Sequence, residues 1–213
     1  MTLVEQIQVY ERFLDEQSSF LQLDNLYLSV VDNYNSQFKE YINETGFYPN
    51  TESFSEKATA LNQQLDLISQ LRIIHCYRVF EKNRLLLIKL FIDNLENFDI
   101  NKKNIKSIYK WNGFLEILNK LKIDYPEYME GFKELEQLNE CSNYLKHSGY
   151  SLNRKDDKFF KIPEFKKYEN VNVIPILHID TEDFDKFYNR VKLAGYQFLF
   201  ALCERIKDSI DLK

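Results

Sequence analysis

The stretch LRIIHCYRVFEKNRLLLIKLFI, residues 71–92, decides the fold class. It contains neither glycine nor proline, and apolar residues recur in it at steps of three and four, which is the spacing of one face of an α-helix. The repeating positions are Leu71, Ile74, Leu85, Ile88 and Ile92, and the pattern continues beyond the stretch at Leu95. This face is predicted to be buried, and the stretch is predicted to form the central helix of the protein.

Helical spacing extends in both directions from the central helix. Thr2 is a candidate N-cap for a helix beginning at Leu3, and helical spacing resumes from about residue 21 before Gly46 ends it. One long bent helix or two separate helices fit this N-terminal part equally well. The remaining predicted helices cover about residues 51–98, 108–123, 126–147 and 181–209.

Composition also favours a helical protein. Hydrophobic residues make up 44% of the 213 residues and charged residues 29%, which are globular proportions. Five glycines and four prolines are too few for a turn-rich sandwich or barrel, or for a glycine-looped nucleotide fold. We therefore predict an all-α bundle of about five or six helices.

A basic insertion at about residues 148–180 interrupts this bundle in the prediction. Within it, residues 171–179 are rich in β-branched side chains, and Pro175 restricts them to a short edge strand at most. Residues 1–50 are predicted to be an acidic helical segment that packs on a helical bundle formed by residues 51–213. The whole chain is predicted to form one compact domain.

Cysteine usage and the amino terminus indicate a cytoplasmic protein. Cys76, Cys141 and Cys203 form no CxxC pair, which fits a reducing compartment. The amino terminus lacks the basic and apolar regions of a signal peptide, and no run approaches 18 apolar residues, so we predict no membrane association. His75 and His178 have no third ligand at zinc-like spacing, and no phosphate-loop, serine-hydrolase or HExxH motif occurs. No metal and no cofactor are predicted.

Charge is distributed unevenly along the chain. Residues 1–56 carry ten acidic and two basic residues, whereas residues 102–122 carry six lysines and one glutamate. Residues 154–167 carry six basic and three acidic residues, with aromatic residues between and beside them. Basic groups beside aromatic rings can hold phosphates and stacked bases; alternatively, the rings cover the core under a solvated basic loop. The aromatic residues are Phe159, Phe160, Phe165 and Tyr168.

A helix over residues 132–147 would have two distinct sides at about 100° per residue. The apolar side is formed by Phe132, Leu135, Leu138, Ser142 and Leu145. The polar stripe is formed by Glu136, Glu140, Asn143 and His147. Asn143 and His147 are one turn apart and can contact the same ligand, and a histidine at a helix end can titrate near neutral pH, as acid–base catalysis requires. From spacing alone, the alternative is a histidine that interacts with the helix dipole and an asparagine that faces water.

The sequence Asn143-Tyr-Leu-Lys-His147, followed by Ser148 and Gly149, resembles the signature of the HEPN (higher eukaryotes and prokaryotes nucleotide-binding) superfamily. The resemblance covers the motif helix and, as helix order only, residues 60–210. Family members are four- or five-helix bundles, usually dimers. Many are metal-independent endoribonucleases of toxin–antitoxin, CRISPR and phage-defence systems, and others bind nucleotides or partners without activity. The resemblance implies that His147 is the acid or base for attack of an RNA 2′-hydroxyl on the adjacent phosphate, with Asn143 beside it.

The chain departs from the family signature at one position. Family members carry an arginine a few residues before the histidine, but the positions five to seven residues before His147 hold Ser142, Cys141 and Glu140. An arginine there would stabilise charge on the phosphate, and loss of one such donor typically costs about 10²–10³ in rate. The departure favours a weak or inactive relative.

Two other cations are candidates to replace the missing arginine. Lys146 is nearer in sequence, but its helical angle lies about 100° from that of His147. Arg78 and Glu81 interrupt the predicted buried stripe of the central helix one turn apart, and charges on an inward face need partners. We hypothesise that they reach the motif helix and supply the cation or hold Asn143 and His147. The alternative is an ion pair between Arg78 and Glu81 at the rim of the bundle.

The resemblance implies an RNA-directed, HEPN-like protein of a bacterial toxin–antitoxin or phage-defence system, acting as a metal-independent endoribonuclease. Two alternatives stay open. One is an inactive HEPN-like module that binds nucleotide, RNA or a partner protein, and the other is a purely structural helical subunit. The expected partners are RNA or a nucleotide, a second copy in a homodimer, and a cognate antitoxin or defence-system protein. The predicted catalytic residues are His147, Asn143 and Arg78, supported by Glu81 and Ser142, and the predicted RNA-binding residues are Lys146, Arg154, Lys155, Lys158 and Lys161.

Overall fold

The protein is an all-α helical bundle, as predicted. A computed structural model describes residues 2–16, 19–45, 52–93, 110–120, 131–147, 151–153, 157–169, 173–175 and 179–211. The long helices are α1 (Leu3–Glu16), α2 (Ser19–Thr45), α3 (Glu52–Asp93), α4 (Trp111–Lys120), α5 (Phe132–His147) and α7 (Thr181–Asp211). The shorter elements are β1 (Ser151–Asn153), α6 (Asp157–Phe160), a 3₁₀ helix (Pro163–Tyr168) and β2 (Val173–Pro175).

The N-terminal part forms two helices, and Thr2 caps the first of them as predicted. The Glu5 N–H donates a hydrogen bond to Thr2 Oγ1 at 3.3 Å, and the Thr2 N–H donates to Glu5 Oε2 at 2.7 Å. This reciprocal pair is a capping box, which satisfies two backbone donors that the helix itself leaves without partners. The local sequence alone therefore fixes where α1 begins.

The buried side of α3 differs from the predicted one. Leu71 and Arg78 are exposed, and Ile74 and Leu85 are only half-buried. The prediction that Arg78 faces inward is therefore wrong. The inward side mixes apolar residues with arginine and asparagine, so apolar spacing alone selected a stripe of which, among the side chains described, only Ile88 is buried. It is formed by Leu65, Ile68, Arg72, Cys76, Phe80, Asn83, Arg84 and Leu87.

The last helix matches its prediction closely. Six apolar residues that recur at helical spacing along α7 are all buried: Phe184, Phe187, Val191, Phe198, Leu202 and Ile206.

The basic insertion contains a short antiparallel ribbon. β1 pairs with β2 in the register Ser151 to Pro175, Leu152 to Ile174 and Asn153 to Val173. The predicted edge strand around Pro175 is confirmed, because both strands of a two-stranded ribbon are edge strands and tolerate proline. β1 has only three residues, too few for a periodic signal in the sequence.

The chain divides into two compact units, each built from separated segments. The first unit comprises Met1–Gln17, Cys76–Ser142 and Asn189–Lys213, and the second comprises Ser18–His75 and Asn143–Tyr188. Both units draw on chain from either side of residue 50. The division into residues 1–50 and 51–213 stays a prediction.

The first unit is held by aromatic packing and one buried arginine. The Trp111 ring lies 5.4 Å from the Phe132 ring, and the Phe114 ring lies 6.2 Å from the Phe198 ring. The guanidinium of Arg84 is buried over Trp111, 4.8 Å from the ring centroid, and over Phe114, at 4.9 Å. Its attraction to these ring faces offsets part of the cost of burying a charge.

Two glycines of the first unit allow close contacts. Gly195 in α7 lies directly against the ring of Phe80 in α3, in the space that a Cβ would need. Gly131, just before α5, has φ +79°, and a Cβ there would overlap the Ala194 carbonyl. Larger residues at either position would push the neighbouring groups away.

The second unit has its own buried arginine. Arg72 of α3 is stacked between the rings of Tyr27, 3.9 Å away, and Tyr188, 4.0 Å away. Its Nε donates to Asp24 at 3.1 Å and its Nη1 donates to Asp185 at 2.7 Å. Burial opposes the charged form, but the carboxylate partners outweigh it, and the pKa of Arg72 is raised. One cation thus ties α2, α3 and α7 together within this unit.

Candidate nucleic-acid interface

The motif helix α5 has the two sides that its sequence predicts. Its buried residues are Phe132, Leu135, Leu138, Cys141 and Ser142, whereas Leu145 of the predicted apolar side is only half-buried. On the polar stripe Glu136, Asn143 and His147 are exposed and Glu140 is half-buried. Ser142 lies fully buried on the apolar side, so its supporting role stays a prediction. Asn143 and His147 therefore share an exposed helix face one turn apart, at the carboxyl end of α5.

An aromatic contact connects this end of α5 to the basic segment. Tyr144 meets the buried ring of Phe159 in α6 edge-on, with ring centroids 5.8 Å apart. Phe159 stacks on Phe165 of the 3₁₀ helix at 4.5 Å, and Phe165 packs on Phe184 and Phe187 of α7 at 5.3 Å each. This column holds α6 and the 3₁₀ helix beside the end of α5.

The rings of the basic segment belong to the core of the second unit. Phe159, Phe160 and Phe165 are buried. Tyr168 is half-buried, and its hydroxyl donates to Asp183 at 2.8 Å and accepts from the Asp180 N–H at 2.9 Å. Burial raises the pKa of Tyr168. The interpretation of these rings as platforms for stacked bases is therefore wrong, and the alternative, that they cover the core, is confirmed.

The lysines of the segment point to solvent. Lys146 on α5, Lys158 on α6 and Lys161 after it are all exposed. Lys166 of the 3₁₀ helix is also exposed, although it was not among the predicted RNA-binding residues. Arg154 and Lys155 lie outside the described residues. In the sequence of this segment, aromatic residues alternate with lysines. That pattern could have identified Lys166 as a further RNA-binding candidate.

Two carboxylates neutralise Lys167. Its Nζ lies 2.7 Å from Asp180 Oδ2 and 2.8 Å from Asp183 Oδ2. Hydrogen bonds to these carboxylates raise the pKa of Lys167, and the same lysine lowers the pKa of Asp180. This network ties the 3₁₀ helix to the start of α7, and Lys167 is not counted among the cations offered to a ligand.

The proposed second half of the catalytic site lies in the other unit. Arg78 and Glu81 belong to the first unit, and Asn143 and His147 belong to the second. Glu81 Oε1 lies 3.7 Å from Arg84 Nη2. A joint site of Arg78 with His147 stays a prediction.

The described residues contain no group of three or more histidine, cysteine or acidic side chains that could hold a metal ion. His75 is half-buried and meets the Phe20 ring edge-on at 6.1 Å, while His178 lies outside the described residues. Within the same described part of the chain, no helix is long and apolar enough to cross a membrane.

Comparison with known proteins finds no match among protein-family models, curated proteins or solved structures.

Proposed function

We propose that this protein binds RNA through a basic face at the carboxyl end of α5. The face consists of Asn143, Lys146, His147, Lys158, Lys161 and Lys166. The main support for the proposal is the contact of Tyr144 with Phe159. It holds α6, with Lys158, beside the exposed Asn143 and His147. Four lysines, an imidazole and an amide can all contact a phosphate backbone.

The chemistry of the face favours binding to the phosphate backbone over reading of bases. The rings in the basic segment are buried or hydrogen-bonded, so they do not stack on bases. Four lysine contacts to a single strand give a slope of log affinity against log salt of about −3. We expect weak sequence preference and strong salt dependence.

An endoribonuclease is the second candidate, and one observation favours it. Asn143 and His147 are exposed together on one stripe of α5, as acid–base attack on a phosphodiester requires. Against it, the three positions before His147 that match the family's arginine carry no cation, and Cys141 and Ser142 are buried. The binding module is therefore the better-supported function. A toxin–antitoxin or phage-defence setting, a homodimer and a protein partner belong to the same proposal.

Binding is tested with fluorescently labelled single-stranded RNA, by anisotropy over a series of salt concentrations in EDTA. In the variant Lys158→Glu/Lys161→Glu we expect affinity to fall on the order of 10- to 100-fold and the salt slope to flatten by about 1.4. The matched control is Lys82→Glu/Lys89→Glu on α3, which makes the same charge change at two exposed lysines of the first unit. Equal losses in both variants would show that net charge alone, and not the basic face, attracts the RNA.

Catalysis is tested on the same samples by analysing RNA ends. Fragments with 2′,3′-cyclic phosphate ends that disappear in His147→Ala would identify the endoribonuclease. Binding without fragments identifies the module. If wild type neither binds nor cleaves RNA, the proposal fails and the structural subunit is left.

A further inference from the structure

Arg84 of the first unit is a buried cation whose polar contacts are long. Its Nη2 lies 3.5 Å from the Tyr77 hydroxyl and 3.7 Å from Glu81 Oε1, and among the side chains that the structure describes no carboxylate lies closer. A charge-assisted hydrogen bond to a carboxylate is normally about 2.7–2.9 Å long. Guanidinium groups keep their proton when buried, and a buried charge without a close partner is strongly unfavourable. An anion that approaches Arg84 more closely would therefore bind favourably.

Arg72 of the second unit shows how this chain compensates a buried arginine elsewhere. Its two carboxylate partners lie at 3.1 and 2.7 Å, and its two ring centroids at 3.9 and 4.0 Å. The rings around Arg84 are farther away: Trp111 at 4.8 Å, Phe114 at 4.9 Å and Tyr77 at 5.7 Å. Arg84 is thus neither closely paired with a carboxylate nor tightly stacked between rings.

Two buried N–H groups beside each other have no acceptor. Arg84 Nε and Trp111 Nε1 are both buried, and within the described part of the chain neither has a hydrogen-bond partner. The guanidinium lies 4.8 Å from the centre of the Trp111 ring, so both groups belong to one site. Buried donors without acceptors are rare and costly. A carboxylate has two acceptor oxygens and can accept from both donors.

We propose that Arg84 and Trp111 form a binding site for an organic monocarboxylate. One cation matches one negative charge, whereas a divalent phosphate would bring a second negative charge close to Glu81. The rings of Tyr77, Phe114 and Trp111 favour a ligand that carries its carboxylate on an apolar chain. All five residues belong to the first unit, and the basic face belongs to the second, so the proposal is independent of RNA binding.

Glu81 lies on the approach to this site from solvent. Its side chain is 29% exposed, whereas that of Arg84 is 2% exposed. A glutamate side chain is flexible and can turn toward water, so that an incoming carboxylate takes its place beside the guanidinium. Glu81 therefore competes with the ligand for Arg84 and does not hold it. This competition fixes the direction of the effect expected when Glu81 is removed.

The experiment follows the indole N–H of Trp111 by nuclear magnetic resonance. Trp111 is the one tryptophan of the chain, so its indole gives a single proton–nitrogen resonance. Sodium butyrate is titrated into the full chain at constant pH, with sodium chloride holding the ionic strength constant. We expect a saturable downfield shift with a Kd on the order of 1 mM, as is usual for so small a ligand. 1-Butanol, which has the same apolar chain without the charge, should leave the resonance in place.

Two substitutions assign the binding to Arg84. Arg84→Met should abolish the butyrate-dependent shift, whereas Arg78→Met, the same change at an exposed arginine of the same helix and unit, should retain it. Glu81→Ala should raise the affinity for butyrate on the order of 10-fold, because a competing negative charge is removed. Circular dichroism checks that each variant keeps its helix content.

Several results would overturn the proposal. These are the absence of a shift in wild type, an equal shift with 1-butanol, and a shift that persists in Arg84→Met or disappears in Arg78→Met. If Arg84→Met does not fold, Glu81→Ala decides the question, because Glu81 is partly exposed. Unchanged or weaker binding of butyrate to Glu81→Ala would then show that the ligand does not bind beside Arg84.

Discussion

Arg72 joins three helices of the second unit, and we expect its removal to lower the stability of that unit. Arg72→Met keeps the length of the side chain but removes the cation that joins Asp24 and Asp185 between two tyrosine rings. Loss of one partner from a buried ion pair typically costs 3–5 kcal/mol, and both carboxylates here are partly solvated. We expect the free energy of unfolding in urea to fall by about 3 kcal/mol.

The control for this prediction is Arg78→Met, one exposed arginine further along the same helix. A surface substitution of this kind should change stability by less than about 0.5 kcal/mol. Equal effects of the two substitutions would mean that the stacked geometry of Arg72 adds nothing to stability.

Glu140 is the position at which an arginine can be introduced to match the HEPN signature. It is the half-buried member of the polar stripe, seven residues before His147, whereas Cys141 and Ser142 are buried. Glu140→Arg replaces a negative charge near the basic face with a positive one, and RNA affinity should rise several-fold at low salt. If the HEPN resemblance is correct, the variant should also gain cleavage activity that needs His147.

The control is Glu136→Arg, one turn earlier on the same stripe. It makes the same change in charge farther from His147. A gain in affinity that is equal in both variants would show a general charge effect and no specific role for position 140.

Single residues were predicted well where hydrophobicity decides their environment. Asn143 and His147 are exposed, and the apolar side of α5 is buried, because the helix has one solvent side and one inner side. The burial of Arg72 and Arg84 was not predicted, because it depends on aromatic rings from distant parts of the chain. Tyr188 lies over 100 residues after Arg72, and no pattern in the local sequence predicts that the two side chains are in contact.

Among the elements, the bounds of the long helices were easier to predict than the side of each helix that is buried. The bounds of α2 and α7 fall within a few residues of those predicted, because caps and glycine mark helix ends locally. The buried side of α3 was predicted wrongly, since its inner side carries two arginines and an asparagine. The ribbon strand β1 was not predicted because it is defined by pairing with residues 20 to 24 positions away.

Contact between α7 and α3 in the first unit depends on Gly195. The substitution Gly195→Ala puts a methyl group where the Phe80 ring lies, and overpacking of this kind typically costs about 1–3 kcal/mol. This cost should exceed the gain in helix propensity, which is roughly 1 kcal/mol. Thermal unfolding should therefore show a lower midpoint for the variant.

A double substitution separates steric overlap from other effects at Gly195. Phe80→Leu removes the ring, so Gly195→Ala introduced into that background should be neutral or stabilising. Additive destabilisation of the two changes would contradict the overlap as the cause.

In the whole molecule, the three cysteines measure whether buried side chains become accessible to a reagent in solution. Cys76, Cys141 and Cys203 are all fully buried, and none of the three is in a disulfide. Buried thiols react slowly, so a thiol reagent such as Ellman's should modify none of them in native protein and all three in denaturant. Rapid reaction of a native cysteine would show that its surroundings open readily.

The division into two units could not be predicted from the sequence. Each unit combines segments far apart in the chain, and α3, α5 and α7 contribute to both. Periodicity describes neighbours along one helix and gives no information on which helices meet. The fold class could therefore be predicted, and the arrangement of its core could not.

The interleaved course of the chain also constrains how it folds during synthesis. The first unit uses Met1–Gln17 together with Asn189–Lys213, so segments more than 170 residues apart in the sequence belong to one core. Helix α1, with Ile7 buried at maturity, leaves the ribosome long before the end of α7 exists. Until that last segment has been synthesised, the first unit lacks one of its three segments, and the apolar surface left exposed in such an incomplete core is recognised by chaperones and favours aggregation.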